Sequence, residues 1–364
     1  MDNLIDTSTK TIEYEMKTLL LGLKGDFSKS SGLGIQRYMF ELYKGLHELD
    51  KNISRREINP IKFIGNGLSF ALKTFFMNFD SYQIVHNLGF VPEFLNYKPR
   101  RNYILITTAH DFLPILYPKF TFEHSVTLKD RLWRELVLKP GLSMTLSSDY
   151  IICNSSQTKQ EAIKLGYDKD KAFVINLGVD NRFRKGIPEK EANNYFKVGY
   201  IGSLLHKKNL EFAISALNKL HDTKIYFDIQ GKKELEYKYL MTIVKNKNVA
   251  FKGFAPEKEL INIYDSFDVF VFPSLHEGFG LPILEAQARG LPVIIYKYGK
   301  IPKEVRKYCF EAESPEHMAQ IIQNIKENGY NEKLRKKATE YARSFTWEKC
   351  AKETLKVYKK VVNW

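Results

Sequence analysis

Short apolar runs alternate with amphipathic stretches along most of the chain. The runs are rich in Val, Ile, Tyr and Phe, as strands are, whereas stretches such as 35–49 and 127–146 repeat their apolar residues at helical spacing. This alternation is typical of parallel sheets covered by helices. The predicted strands are 18–23, 61–64, 82–86, 103–108, 150–154 and 172–176, followed by 197–201, 224–229, 249–252, 269–272 and 292–296.

A polar segment separates these two series of strands. Residues 177–194, LGVDNRFRKGIPEKEANN, contain two glycines and one proline, which indicates a linker. Because 364 residues exceed what one compact core usually holds, we predict two Rossmann-like, doubly wound α/β domains, at 1–180 and 195–345. Sites are expected in the cleft that the carboxyl ends of both sheets would share. Helical stretches are predicted to begin near residues 315, 331 and 346.

Composition narrows the class of protein. An apolar fraction of 44% with 13% aromatic residues favours a globular fold over disorder. Cys153, Cys309 and Cys350 are widely spaced, which argues against a disulfide framework and a zinc site and fits a reducing cytoplasm. The N-terminus lacks the layout of a signal peptide, and no apolar run reaches the roughly 20 residues that a membrane-spanning helix needs. We therefore expect a cytoplasmic protein.

Positive charge is concentrated in the second half of the chain. Residues 1–180 carry 23 basic and 20 acidic side chains, whereas residues 181–364 carry 33 and 22. The excess suits an anionic partner, which could be a nucleotide phosphate, a nucleic acid or an acidic membrane surface. Charge alone does not choose among the three.

Chemistry-bearing residues are densest in 273–293, PSLHEGFGLPILEAQARGLPV. The segment follows the apolar run DVFVF, turns at its EGFG sequence and restarts as a helix at Pro282. A strand, a glycine-containing turn and a helix N-terminus supply free N–H groups and the positive end of a dipole, which suits a phosphate. Glu277 and Glu285 flank this position, and carboxylates accept paired hydrogen bonds from the hydroxyls of a ribose or hexose.

The sequence HEGFGLPILEA resembles the motif of the retaining GT-B glycosyltransferases of the glycosyltransferase 4 type, in which seven residues separate two glutamates. The resemblance implies that Glu277 contacts the donor sugar and that Glu285 contacts the ribose hydroxyls. It further implies that the backbone of Phe279, Gly280 and Leu281 contacts the sugar and the diphosphate. The alternative is a loop rich in Gly and Pro that carries two glutamates by chance.

A second match is VGYIGSLLHKKNLEFAI, residues 198–214. Its strand, Gly202, loop and helix start form another phosphate-facing arrangement, with Lys207 and Lys208 to neutralise a leaving diphosphate. Lys208 matches the family's lysine, whereas Ser203 stands where an arginine often follows the glycine, and Lys207 stands where one subgroup has arginine. The alternative is a solvated helix start. The Gly-Ser-Leu and Lys-Lys-Asn sequences resemble subgroups that use GDP-mannose.

Three weaker candidates complete the predicted site. His110 follows a predicted strand in ITTAHDFLPILYP, and the resemblance implies that it reaches the donor sugar; a structural or capping histidine is the alternative. Gly32 and Gly34 precede a helix, where similar enzymes approach the donor diphosphate or the acceptor; an ordinary turn is the alternative. Gly253 and Phe254 lie near the expected base pocket.

The resemblance implies a hexosyltransferase that retains anomeric configuration, requires no metal or other cofactor and moves a sugar, with mannose from GDP-mannose preferred, to a glycan or lipid-linked acceptor. Residues 346–364 resemble the family's C-terminal crossover onto the first domain. The apolar segment 71–79 is a candidate for contact with a lipid-linked acceptor or the cytoplasmic membrane face; a core helix is the alternative. A GT-B nucleotide-sugar epimerase and a basic nucleic-acid-binding protein are rival hypotheses, although no nucleic-acid-binding motif supports a nucleic acid partner.

Overall fold

Two parallel sheets form the framework of the protein in this computed structural model. The structure describes residues 16–23, 34–58, 77–89, 101–117, 145–187, 194–232 and 236–363, together with the isolated positions 132 and 135. Within these ranges each sheet has six strands, and all paired neighbours run parallel.

The first sheet has the strand order β2-β1-β3-β4-β5-β6. Its strands are β1 (Thr18–Leu23), β2 (Ile53–Ile58), β3 (Ile84–Asn87), β4 (Ile104–Ala109), β5 (Tyr150–Cys153) and β6 (Ala172–Val174). The second sheet has the order β12-β11-β10-β7-β8-β9. Its strands are β7 (Phe196–Ile201), β8 (Ile225–Gln230), β9 (Val249–Gly253), β10 (Val269–Phe272), β11 (Val293–Tyr296) and β12 (Phe310–Ala312).

Helices connect the strands, as parallel pairing requires. In the described ranges they are α1 (Gly34–Leu49), α2 (Leu113–Leu116), α3 (Ser156–Lys164), α4 (Leu210–Asn218), α5 (Tyr237–Ile243), α6 (Leu260–Asp265), α7 (Leu281–Ala288), α8 (Lys303–Arg306), α9 (Pro315–Asn328), α10 (Glu332–Arg343) and α11 (Trp347–Val362). None of them is long and apolar enough to cross a lipid bilayer.

The predicted α/β class with two doubly wound sheets is confirmed. Every residue of β3 and β10 is buried, as expected for central strands covered on both faces. The three predicted C-terminal helices are also present, and their first turns are capped by the side chains of Ser314, Asn331 and Thr346, each of which accepts a hydrogen bond from a backbone N–H three residues later.

Two edge strands escaped prediction, and each has a physical reason. The β2 sequence ISRREI exposes Arg55, Arg56 and Glu57, because an edge strand needs little apolar surface and charge protects it from pairing with other chains. The β12 strand has three residues, too few for a recognisable pattern. The predicted strand 61–64, most of the predicted helix 127–146 and Gly32 lie outside the described residues. Of segment 71–79 the structure describes the last three residues, and Phe79 is buried against Tyr103.

The C-terminal helix α11 packs on α1 of the first sheet's layer. Its buried residues recur every three or four positions, which places Trp347, Cys350 and Tyr358 on one face. The two helices approach closely, since a Cβ built on Gly45 of α1 would lie 2.8 Å from the Cβ of Ala351. A small residue is therefore needed at this crossing.

A buried polar network fastens α11 to the first sheet. The imidazole of His86 in β3 lies 2.5 Å from the Tyr358 hydroxyl through Nδ1 and 2.9 Å from the Thr108 hydroxyl through Nε2. The Tyr38 hydroxyl lies 2.8 Å from the same Thr108 oxygen. Burial lowers the pKa of His86 from 6.5 to about 3, so the imidazole is neutral in the folded protein.

This network predicts a loss of stability in mild acid. The unfolded chain binds a proton at His86 below its ordinary pKa of 6.5, whereas the folded chain does so only near 3, so the free energy of unfolding decreases as the pH falls through that window. From about pH 7 to about pH 5 this single group should cost about 2 kcal/mol. Urea unfolding across this range should show a shallower pH dependence in His86→Leu than in the wild type. Equal slopes in the two proteins would contradict the assignment.

Candidate active site

A cavity of about 280 Å³ lies where the carboxyl ends of the second sheet's strands face α1. Seven of the predicted site residues line it: Gly34, Gly202, Ser203, Lys208, Phe254, Leu281 and Glu285. A larger cavity, of about 550 Å³, is lined by none of the predicted residues, and the Arg289 guanidinium at its wall is already paired with Asp265. The smaller cavity is therefore the candidate active site.

The N-terminus of α7 forms one wall of this cavity. Gly280 is the N-cap and has φ +99°, a left-handed conformation that glycine adopts without strain. Leu281 and Pro282 follow in the first helical turn and line the cavity. The predicted strand, turn and helix start are confirmed here, and the free N–H groups of a first turn suit an anion.

Side chains of the first domain donate hydrogen bonds to the backbone of the EGFG loop, residues 277–280. The Ser155 hydroxyl donates to the Gly278 carbonyl at 2.7 Å, and the Gln157 amide donates to the Glu277 carbonyl at 3.0 Å. A Cβ built on Gly278 would lie 1.9 Å from the carbonyl oxygen of His110, so no other residue fits there without movement. The loop lies between β10 and α7 of the second sheet's layer, and hydrogen bonds from the first sheet's layer fix its position.

Lys208 and Glu277 form an ion pair, with 2.6 Å between Nζ and Oε1. Both side chains are largely buried, at 13% and 10% exposure, and the ammonium also lies 4.8 Å from the centre of the Phe272 ring. Burial lowers the pKa of Lys208, and the Glu277 carboxylate opposes this effect. The structure thus joins two groups that the sequence predicts at different parts of the donor, Glu277 at the sugar and Lys208 at the diphosphate.

Glu285 is buried on α7, with both carboxylate oxygens engaged. Oε2 accepts a hydrogen bond of 2.9 Å from the Tyr264 hydroxyl on α6. Oε1 accepts one from Nη1 of Arg37 on α1. Burial lowers the Arg37 pKa, but the carboxylates of Glu285 and Glu257 outweigh it and leave that pKa raised. Neither partner is evident from the sequence; the position of Arg37 just after a Gly-x-Gly turn is the available signal.

Lys207 and His110 contact other groups. The Lys207 ammonium lies 4.0 Å from Asp111 Oδ2 and does not line the cavity. His110 is buried, and its Nε2 lies 2.9 Å from the Leu88 carbonyl oxygen, which can only accept, so the proton resides on Nε2. Burial lowers the pKa of His110, and the Leu88 hydrogen bond opposes the shift. His110 does not line the cavity, and its role at the sugar stays a prediction.

Of the remaining predicted residues, one lines the cavity and the others do not. Phe254 lines it with half of its surface exposed, whereas Gly253 does not line it and uses its carbonyl to accept from Gly231 at 2.8 Å. Phe279 is buried, with its ring 6.1 Å from that of Phe345. Of these two rings, that of Phe254 is exposed to a ligand, and the backbone contact of Phe279 stays a prediction.

Comparison with known proteins agrees with this arrangement. Residues 55–183 match the family model for Glycosyltransferase Family 4, and residues 181–345 match the model for Glycosyl transferases group 1. The chain belongs to the GT-B glycosyltransferases of the glycosyltransferase 4 type. This membership favours sugar transfer over the epimerase and nucleic-acid-binding hypotheses.

Individual relatives of this glycosyltransferase are distant. The O-antigen chain mannosyltransferase B of Escherichia coli is 25% identical over 285 residues, which are 72% of each chain. A probable sucrose-phosphate synthase of Thermosipho melanesiensis is 32% identical over 53% of this chain, and the match spans about half, 48%, of that relative.

Solved structures share the whole architecture. The sucrose-phosphate synthase of Thermosynechococcus elongatus superposes with a TM-score of 0.74 at 17% identity, covering 96% of this chain and 99% of that one. HepE of Anabaena in complex with UDP-glucose gives a TM-score of 0.66 at 18% identity, covering 95% of this chain and 100% of that one. At these identities the likeness establishes the fold alone.

Proposed function

We propose that this glycosyltransferase moves a hexose from a nucleotide-diphosphate sugar to a hydroxyl of a glycan or lipid-linked acceptor, with retention of anomeric configuration and without a metal. Mannose from GDP-mannose is the preferred donor. One observation carries the proposal: Glu285, Lys208, Ser203 and the first turn of α7 line a single cavity between the two sheets.

The donor fits this cavity in three parts. Phe254 offers an exposed ring face for the base, and aromatic faces stack on bases without regard to their identity. Glu285 holds the ribose hydroxyls, since a carboxylate accepts two hydrogen bonds from neighbouring hydroxyls. The first turn of α7 and the Lys208 ammonium face the diphosphate. Glu277, which pairs with Lys208 but does not itself line the cavity, is assigned to the sugar.

Catalysis then rests on holding two reactants together and on stabilising the departing diphosphate. The bond between the anomeric carbon and the phosphate oxygen breaks as the acceptor oxygen bonds to the same carbon. The acceptor proton passes to the leaving phosphate oxygen on the same face. Glu277 is not assigned as a nucleophile, because a retaining glycosidase needs two close carboxyl groups flanking one bond and Glu285 serves the ribose.

Two observations bear on the choice of donor. A relative of this chain is named as a mannosyltransferase, which supports mannose, whereas HepE is known with UDP-glucose. UDP-glucose is therefore the second donor to examine. The predicted membrane contact also remains part of the proposal, because a lipid-linked acceptor would bring the enzyme to the cytoplasmic membrane face.

The function is tested by incubating the protein with GDP-mannose, UDP-glucose and their ADP counterparts, each with a panel of glycan and lipid-linked acceptors. We expect transfer from GDP-mannose above the other donors, with an α-linked product from the α-linked donor by NMR. Thermal unfolding gives an independent readout, since a nucleotide that binds the native state raises the midpoint. Isomerised donor without any transfer would show an epimerase instead, and a β-linked product would refute retention.

Isosteric variants of Glu277 and Glu285 should show which glutamate binds the nucleotide and which acts on the sugar. Glu285→Gln should weaken binding of the free nucleoside diphosphate about tenfold or more, because a carboxylate accepts stronger hydrogen bonds than an amide. Glu277→Gln should leave that affinity within about twofold and lower turnover instead. Calorimetric titration of the diphosphate beside steady-state rates measures both. Equal loss of nucleotide affinity in the two variants would contradict the division of roles.

The proposal that turnover needs no metal ion is tested separately. Among the described residues no group of three or more His, Cys, Asp or Glu side chains could hold a metal ion. The Lys208 ammonium and the α7 N-terminus supply the positive charge that a metal gives the diphosphate in other enzymes. EDTA should therefore leave turnover unchanged. Loss of activity in EDTA, restored by Mn²⁺, would refute this part of the proposal.

A further inference from the structure

The cavity contains a cation that the motif residues do not explain. Arg37 on α1 lines it together with Ser203, Lys208 and Glu285. The guanidinium is 11% exposed; besides the Nη1 bond to Glu285, its Nη2 lies 3.6 Å from Glu257 Oε1. Within the part of the chain that the structure describes, its Nε is buried without a hydrogen-bond partner. Among these residues the guanidinium thus retains an unused donor.

Arg37 competes with a ribose for Glu285. Each carboxylate oxygen can accept two hydrogen bonds, so Oε2 keeps one position beside Tyr264, whereas on Oε1 a ribose hydroxyl must compete with the charged guanidinium of Arg37. Tyr264 is fully buried, with ring centres 5.6 Å from Phe183 and 5.4 Å from Phe270, so its hydroxyl is fixed by packing. Arg37, with its long side chain, is the partner that can withdraw.

Among the described residues, the loop that leads to Lys208 supplies no guanidinium to the cavity. Ser203 offers a hydroxyl without charge, and Lys207 lies outside the cavity beside Asp111. Lys208 is a point charge already paired with Glu277. Among the described residues that line the cavity, Arg37 is the one that offers a planar fork for two phosphate oxygens.

We propose that Arg37 is a ligand of the donor diphosphate, supplied by the first domain and stored on Glu285 until a donor binds. The ribose hydroxyls take over Glu285, and the released guanidinium turns to the phosphates. Donor binding therefore replaces the buried ion pair between Arg37 and Glu285 with two contacts. One joins Glu285 to the ribose, and the other joins Arg37 to the diphosphate. The inference rests on the proposed function, in particular on Glu285 as the ribose ligand.

The test compares a nucleoside with its diphosphate, because only the second has phosphates for Arg37 to hold. Guanosine and GDP, and uridine and UDP, are titrated calorimetrically into the wild type, Arg37→Ala and Arg37→Lys. We expect Arg37→Ala to weaken diphosphate binding about tenfold or more, as loss of a charge-assisted bond does. Nucleoside affinity should rise or stay equal, because Glu285 is freed. Arg37→Lys keeps the charge without the fork and should lie between.

Arg182→Ala is the matched control. Arg182 pairs with Asp180 and with Glu257, a neighbour of Arg37, but it does not line the cavity. It should leave the preference for diphosphate over nucleoside within about twofold of the wild type. Thermal unfolding of each variant checks that it folds. If Arg37→Ala is unstable, the affinities of Arg37→Lys test the role of Arg37 at the diphosphate.

Two results would overturn the inference. One is an unchanged preference for the diphosphate in the folded Arg37 variants. The other is a parallel loss of nucleoside and diphosphate affinity, which would make Arg37 a structural residue. Failure of the proposed function has a different signature: the wild type would bind no nucleoside diphosphate, or Glu285→Gln would leave nucleoside affinity unchanged.

Discussion

The site depends on the EGFG loop being held from both sides of the cleft. The loop offers its backbone carbonyls to Ser155 and Gln157 of α3, and at Gly278 it approaches the His110 carbonyl so closely that a side chain does not fit. These contacts fix the position of Glu277 and the start of α7. Since the donors of these hydrogen bonds belong to the first sheet's layer, the site is complete only when the two layers meet.

Buried charge is the second constraint. Lys208 with Glu277, and Arg37 with Glu285, are pairs removed from most solvent, and the desolvation of such groups offsets much of their attraction. Stability alone gives little reason to place them in a cavity, because apolar side chains would pack there at no such cost. Buried charged groups in a cleft are instead typical of functional sites.

Local sequence was sufficient for the fold class and for part of the site. Gly280 and Pro282 define the start of α7 by their own backbone preferences, and the spacing of Glu277 and Glu285 placed the second carboxylate one helical turn into it. Sequence alone did not reveal that the Phe279 ring packs near Phe345, or that the cavity is lined by Phe254 and not by its neighbour Gly253. A motif gives a residue's neighbours along the chain, not the direction of its side chain.

The sequence by itself determined the alternation of strands and helices, the helix caps and the glycine-containing turns from strand to helix, because these follow from interactions within a few residues. Only the tertiary structure decided which cation meets which carboxylate. Arg37 and Glu285 are 248 positions apart, and Lys208 and Glu277 are 69 apart, so nothing local links them. Arg37 meets Glu285 because α1, packed against α11, faces α7 across the cleft, and Lys208 meets Glu277 because β7 and β10 are neighbours in the second sheet. Such long-range packing leaves no pattern in a single sequence.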